Sequence, residues 1–400
     1  MIRSSKHILK YQTKLKTNIL DQIFVDYKND LEYYIDLILS NKLPLKIRLS
    51  TKLLPTNIIK HSQWKQIIYQ NASQIIRSQI NKTNITRYNC YKKCYAKAIK
   101  KNRFKKFTFK KFSQLRLKDI KQSRFFTKPT IKNITITLDY RLINFKNDSK
   151  YFNEFIRIRS PYFHASRKLA ISINIPFKHH KHSNKFNDWN RKNSVQLSKI
   201  NGNYYLTLFY QKEEPAKKQQ GNVLGIDQGY KKLLTCSDSK VLGKEMLELY
   251  SKISRKQQGS KAFKKYLTHR NNEINRICNT LELNDVKELV IENLKYVKHK
   301  SYQNNKMNSK VMNKVQRWSY HKTAMKLQRL CQENGILLTR VNPAYTSQKC
   351  SSCGHVDKKN RLLEKFECQH CGYINDADIN ASINISRMRA YSPHSLKKAG

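Results

Sequence analysis

The sequence predicts a multidomain α+β protein, and three features of its 400 residues carry that reading. The amino-terminal quarter repeats apolar side chains at three- and four-residue spacing, whereas the middle alternates them with period two. The remainder sets short apolar runs between helical stretches, the pattern of an α/β domain, and two Cys-x2-Cys pairs interrupt it near its end. At this length two or three domains are expected.

Residues 18–39 place Ile19, Ile23, Tyr27, Leu31, Tyr34 and Ile38 on one stripe, an amphipathic helix. Pro55 opens a second helical region, expected to break near residues 81–84 and to run to about Lys101. Residues 18–128 thus read as a basic helical module. Cys90 and Cys94 lie there at i, i+4 with no second pair nearby, so ordinary helix packing is the reading. Beyond Pro129, residues 133–142, 168–177 and 194–212 alternate as antiparallel strands of a small barrel or sheet. Asn201-Gly202 supplies the tight hairpin turn. A strand at residues 7–14 is expected to join that sheet, with the helical module inserted between.

A polar linker at residues 213–222 separates the halves. Apolar strands follow at residues 222–227 and 232–238, then a long polar helical stretch over 244–283, a strand at 288–293, a helix over 309–333 and a strand at 335–341. In the last helix Val311, Val315, Trp318, Met325, Leu327 and Leu330 mostly follow a three-to-four spacing. No repeat of 20 to 50 residues recurs.

Charge narrows the function. Eighty Lys and Arg against 27 Asp and Glu leave a formal net charge of +53, and such self-repulsion calls for a polyanion along much of the chain. Nucleic acid fits; a membrane-surface protein would show a polybasic cluster or a basic amphipathic helix instead. Lys and Arg read backbone charge, so composition does not choose the nucleic acid. The amino terminus lacks an apolar run of signal-peptide length and no stretch of about 18 apolar residues follows. A cytoplasmic protein is expected, nucleoid-associated in a prokaryote and nuclear in a eukaryote. Four of nine cysteines stand in pairs, the usage of metal ligands in a reducing compartment.

Cys350, Cys353, Cys368 and Cys371 make a four-thiolate set for tetrahedral, structural zinc, with Gly354 and Gly372 where each knuckle turns. His355 and His370 are surplus to four ligands and read as polar surface or nucleic-acid contacts. Asp227 and Glu292 each end an apolar strand, where a carboxylate is costly unless paired, hydrogen-bonded or bound to a cation. With a third acidic site in "NDADINAS" they suggest oxygen ligands for a hard cation, Mg²⁺ or Mn²⁺, and two-metal phosphodiester cleavage. Asp376 is placed to cap a helix whose first turn holds Asp378, and Ile379, Ile383 and Ile385 would anchor that helix to the sheet. Spacing leaves either aspartate open as the metal ligand.

"GIDQG", "LVIENL", "NPAYTSQKCSSCG", "FECQHCG" and "NDADINASINI", in this order, resemble the RuvC-like nuclease domain of transposon-encoded TnpB proteins and the related compact type V CRISPR effectors. The match covers roughly residues 223–387. The resemblance implies an RNase H-like fold, a guide RNA whose pairing selects double-stranded DNA, and protein reading of a short flanking motif. Its Asp-x-Asn-Ala pattern falls on residues 378–381, which makes Asp378 the third catalytic carboxylate beside Asp227 and Glu292, with Asp376 auxiliary. Gln228 and Ser382 depart from the family pattern without removing a ligand. The implied organisation is a β-barrel wedge (1–17 and 129–215) holding a helical recognition module (18–128). A RuvC-like domain (216–345 and 375–390), interrupted by the zinc knuckle (346–374), and a basic tail (391–400) complete it. An RNA-guided, Mg²⁺-dependent DNA endonuclease is the expectation. An RNA-guided binder or repressor that does not cleave and an RNA-independent nuclease or transposase are the alternatives.

Overall fold

A computed structural model describes residues 1–100, 124–147, 151–165, 169–294 and 318–388. Part of the expected helical module, Val311 and Val315, and the basic tail lie outside the described residues. The chain divides into two units, Ile2–Lys212 and Glu213–Gly400 with Met1.

In the first unit β1 (Ile2–Leu9) pairs antiparallel with β7 (Asn203–Gln211) in the order β1-β7-β6-β2, where β2 is Thr135–Asp139 and β6 is Asn190–Ile200. Asn201 (φ 50°) and Gly202 (φ 79°) both take the left-handed conformation that closes the β6–β7 hairpin. A second sheet joins β3 (Ile143–Lys146), β4 (Glu154–Phe163) and β5 (Ala170–Phe177). The expected single sheet is therefore two. They touch where the buried His7 of β1 meets Phe177 of β5 edge-on, ring centroids 5.2 Å apart. The strands β3 and β4 escaped the sequence reading because Ile156 and Ile158 alternate over too short a run to stand out.

Helix α1 (Lys14–Leu39) starts four residues earlier than expected, behind the N-cap Thr13, so the preceding strand ends at Leu9 rather than Lys14. Helix α2 (Ser62–Lys100) packs on α1, with Trp64 and Tyr27 at its centre. Two expectations for this region are corrected. Buried Asp30 accepts hydrogen bonds from the backbone N–H of Ile58 and Ile59 at 3.0 and 2.9 Å, which holds the segment after Pro55 outside any helix. The polar run at 81–84 does not break α2; the Thr83 hydroxyl donates back to the Gln79 carbonyl within the continuous helix. Cys94 is exposed and takes no part in the packing foreseen for it.

The second unit is built on a mixed sheet ordered β10-β9-β8-β11-β12. Strands β8 (Asn222–Asp227), β11 (Val286–Glu292) and β12 (Leu337–Val341) run parallel, while β9 (Leu234–Cys236) and β10 (Val241–Leu242) are antiparallel. The expected helical stretch consists of two helices, α3 (Met246–Ser254) and α4 (Lys261–Asn279). Gly259 at φ 85° turns the chain between them and the Ser260 hydroxyl caps α4 by accepting from Phe263 N–H at 3.0 Å. Helix α5 (Tyr320–Glu333) precedes β12. A small antiparallel sheet, β13 (Arg361–Leu362), β14 (Lys365–Glu367) and β15 (Ile374–Asp376), leads into α6 (Ala377–Ser386).

Helix α6 lies on β8, and the anchoring foreseen for its isoleucines is largely overturned. Of Ile379, Ile383 and Ile385 only Ile385 is fully buried, against Val290 and Val341. The close approach is made at Gly225, where a methyl group would sit 2.8 Å from Ser386 Cα and nearer still to the Ser382 carbonyl oxygen. Buried Asn380 and Asn384 complete the seat by donating to the Lys349 carbonyl at 2.8 and 2.6 Å. Both obstacles at Gly225 are backbone, so Gly225→Ala should lower the stability of this unit by about 3 kcal/mol, measured by denaturant unfolding; an unchanged midpoint would contradict the packing.

Candidate active site

Parallel pairing aligns Ile226 with Ile291, so the next residues, Asp227 and Glu292, end their strands together at the sheet's carboxyl edge. Open α/β sheets bind ligands at such an edge. Helix α6 begins at the same place. Its N-cap is Asp376, whose Oδ1 accepts from the backbone N–H of Asp378 at 2.9 Å and Ile379 at 3.2 Å. Asp378 lies one step inside the first turn.

Each carboxylate has a distinct partner. Thr346 donates its hydroxyl to Glu292 Oε1 at 2.6 Å. Arg361 Nη2 donates to Asp378 Oδ1 at 2.8 Å. The Lys232 ammonium lies 2.7 Å from Asp376 Oδ2 and 3.2 Å from Asp378 Oδ2. Burial, then the negative charges of Glu292 and Asp378, push Asp227 well above the usual carboxylate range, against the pull of Arg361 and the Gln228 N–H. Burial also raises Glu292, opposed by Thr346 and Arg361. Asp376 moves the other way: burial would raise it, but Lys232 and the two helix N–H groups bring it below its ordinary value.

Asp227, Glu292 and Asp378 therefore form one electrostatic cluster, while Asp376 stands beside it as a cap paired with lysine. Their oxygens are not drawn as tightly together as the cysteine sulfurs. Among the described residues the four cysteines are the only group of three or more whose ligand atoms all lie within 4.8 Å of one another. An oxygen-only set with mutual repulsion at Asp227 fits a hard divalent cation, whose charge would relieve that repulsion. Lys232, Arg361 and Thr346 were missed from sequence. The available signal was that buried carboxylates require counter-charge, but no spacing rule points to a lysine five residues after Asp227 or an arginine between the cysteine pairs. Gln228 is buried and its side-chain amide has no hydrogen-bond partner among the described residues, for which nothing in the structure accounts.

The four sulfurs meet across the ends of the small sheet. Cys350 and Cys371 are 3.8 Å apart and Cys353 and Cys368 3.6 Å, close to the ~3.8 Å edge of a tetrahedron with ~2.3 Å metal–sulfur bonds. Gly354 (φ 81°) and Gly372 (φ 68°) make the turns. N–H groups of Ser352 and Cys371 point at Cys350 and Cys368 Sγ at 3.4 and 3.5 Å. His355 and His370 stack on each other, 5.3 Å between centroids, outside the sulfur set.

In the first unit a cavity of about 490 Å³ is lined by Arg141, Arg157, Arg159, Arg191 and Lys192 with Tyr140 at its edge. Arg141 is held by Asp139 and Arg191 by Glu154. Arg157 and Arg159, two apart on β4, project exposed from one face.

The Cas12f1-like TNB domain matches residues 320–385, the span that holds the cysteines, Arg361 and Asp378. The chain is 41% identical over 73 residues to the CRISPR-associated endodeoxyribonuclease Cas12f1 of Sulfoacidibacillus thermotolerans, 18% of this chain and 17% of that protein. It is 27% identical over 231 residues to InsQ of Escherichia coli (strain K12), provisionally named an RNA-guided DNA endonuclease, 48% of this chain and 55% of that one. A solved structure of CasPhi-2 (Cas12j) bound to crRNA and phosphorothioate-DNA shares the fold over 96% of this chain and 91% of that one, at 10% identity and a TM-score of 0.52. The chain thus matches little more than half the length of InsQ and far less of Cas12f1. No described helix is long and apolar enough to cross a membrane. A TnpB-like protein of Aquifex aeolicus (strain VF5) is 32% identical over 115 residues, 28% of this chain and 36% of that one, so this chain is similar to TnpB-like proteins and, over residues 320–385, to the Cas12f1-like TNB domain.

Proposed function

We propose that this protein is an RNA-guided DNA endonuclease that cleaves phosphodiester bonds of double-stranded DNA at a two-metal centre in an RNase H-like, RuvC-type domain. The observation that carries the reading is the meeting of Asp227, Glu292 and Asp378 at one sheet edge, each of the latter two raising the proton affinity of the first. In this reading the three carboxylates hold Mg²⁺ or Mn²⁺. When bound, such ions supply Lewis acidity to the attacking water and the departing oxygen. Glu292 is held in place by Thr346, and Arg361 fixes one oxygen of Asp378 while adding positive charge where a phosphate would lie. Zinc on Cys350, Cys353, Cys368 and Cys371 is structural, since four thiolates leave no open position.

The formal charge of +53 suits a long nucleic-acid partner. The names of Cas12f1 and InsQ and the crRNA and DNA seen with CasPhi-2 support guide RNA and target DNA as that partner. We read residues 1–17 with 129–215 as the wedge, 18–128 as the recognition module, 216–345 with 375–390 as the nuclease and 346–374 as the knuckle. The arginine-lined cavity suits backbone phosphates, with exposed Tyr140 available to stack on a base. The test is to purify the protein with its RNA, sequence that RNA, and supply a duplex matching its guide segment with Mg²⁺. Cleavage of the matched duplex and not of a scrambled one is expected. Copurification of no defined RNA, or equal cutting of both duplexes, would overturn guidance; an intact matched duplex would overturn the nuclease.

A further inference from the structure

We propose that Lys232 withholds Asp376 from the metal site, so that the start of α6 offers one aspartate to the cation and not two. The inference rests on reading Asp227, Glu292 and Asp378 as that site. Lys232 is almost fully buried, 9% exposed, and a buried ammonium persists only when paired. Its shorter contact, 2.7 Å, is to Asp376 Oδ2 and its longer, 3.2 Å, to Asp378 Oδ2. Asp376 Oδ1 is meanwhile committed to the N–H groups of Asp378 and Ile379. Asp376 is thus fixed at Oδ1 by two backbone N–H groups and at Oδ2 by the shorter lysine contact, whereas Asp378 Oδ2 has only the longer, 3.2 Å one. Asp378 stays oriented by its place in the helix and by Arg361 at 2.8 Å, so it does not depend on Lys232 for its position.

The loop that carries the lysine is itself fastened. Lys231 pairs with Glu364 at 2.5 Å, and the carbonyl of Glu364 accepts from Ala377 N–H at 2.8 Å, beside the cap. Lys232 is therefore held where one ammonium spans the two aspartates. Without it, Asp376 keeps its cap through Oδ1 and presents a free anionic Oδ2 next to Asp378 Oδ2. A fourth carboxylate would favour Ca²⁺, which takes six to eight oxygens, over Mg²⁺, which keeps a small octahedral shell. Loss of a positive charge alone would strengthen both ions alike, since their charges are equal.

The experiment is calorimetric titration of the full chain, freed of nucleic acid, with Ca²⁺ and with Mg²⁺, using Asp227→Asn as the blank. Lys232→Met should tighten Ca²⁺ binding about tenfold more than Mg²⁺ binding. Lys232→Met/Asp376→Asn should restore the parent's ratio, because asparagine still caps the helix but offers no carboxylate; this pair leaves no buried charge unpartnered, so its folding is not at issue. Lys252→Met on α3, with the same change in net charge and an ion pair only to Glu248, should leave the ratio unchanged. Equal tightening of both ions by Lys232→Met, no tightening, or a double variant that keeps the altered ratio would each overturn the role of Lys232. A parent protein that binds no more cation than the blank would instead overturn the metal-site reading itself.

Discussion

Asp227→Asn is expected to reduce cleavage of a matched duplex at least ~10³-fold, about 4 kcal/mol of barrier, while binding of RNA and duplex is retained. The substitution removes the carboxylate on which Glu292 and Asp378 act most strongly, yet keeps the side chain's shape in a site already tight enough to penalise charge. A second readout follows from that penalty. In the unfolded chain Asp227 ionises near its ordinary pKa, whereas in the folded chain without divalent cation it holds its proton to higher pH. Over that window the folded state binds more protons, so the residue lowers stability as pH rises. In buffer without added Mg²⁺ or Mn²⁺ the Asn variant should therefore melt above the parent at pH 8 and match it at pH 4. Full cleavage by the variant would remove Asp227 from the site; a variant that melts lower at pH 8 would refute the buried-charge account.

The second large effect concerns the cysteines. Cys368→Ser should release one zinc per chain, measured by elemental analysis, and should unfold the small sheet, measured by hydrogen exchange over residues 346–374. Structural zinc contributes roughly 10–16 kcal/mol of apparent binding free energy in finger peptides, which is folding free energy there. Little else is available to hold this segment: its apolar core consists of Phe366 and Ala377 with Cys350, Cys368 and part of Tyr373. Cleavage should fall with it, although Cys368 is none of the three clustered carboxylates nor a side-chain partner of one. The same small sheet carries Arg361 and ends at Asp376, so its loss frees Asp378 from Arg361 and the cap from its strand. Unchanged zinc content, or an exchange pattern like the parent's, would rule this out.

Much of the fold was legible in the chain because the relevant forces are local. Strands buried on both faces must be continuously apolar, so "VLGI" and "LVI" stand out, and an acidic residue closing each is conspicuous. Asn201-Gly202 announces its hairpin through backbone sterics alone. The failures are equally physical. A polar run near residue 83 reads as a break, but a threonine hydroxyl can bond back into its own helix. The three isoleucines of α6 read as its anchor, yet helix and strand meet where side chains are smallest, at Gly225, and burial depends on that partner rather than on apolarity. The Gly259-Ser260 pair that divides α3 from α4 was a visible turn and cap signal that the charged surroundings obscured.

By itself the sequence set the expectation of a polyanionic partner and displayed the four-cysteine set and the strand-end carboxylates Asp227 and Glu292, because charge balance, ligand spacing and strand burial are written in consecutive residues. It also set a cap at Asp376, while spacing left Asp376 and Asp378 equivalent as ligands and only the family resemblance favoured Asp378. Only the tertiary structure decided their surroundings: Asp378 faces Asp227 and Arg361, while Asp376 is occupied by helix N–H groups and by Lys232. The counter-charges come from a loop after β8 and from a strand between the cysteine pairs, more than a hundred residues apart, and electrostatic pairing across that separation exists only once the sheet, the knuckle and α6 have folded together.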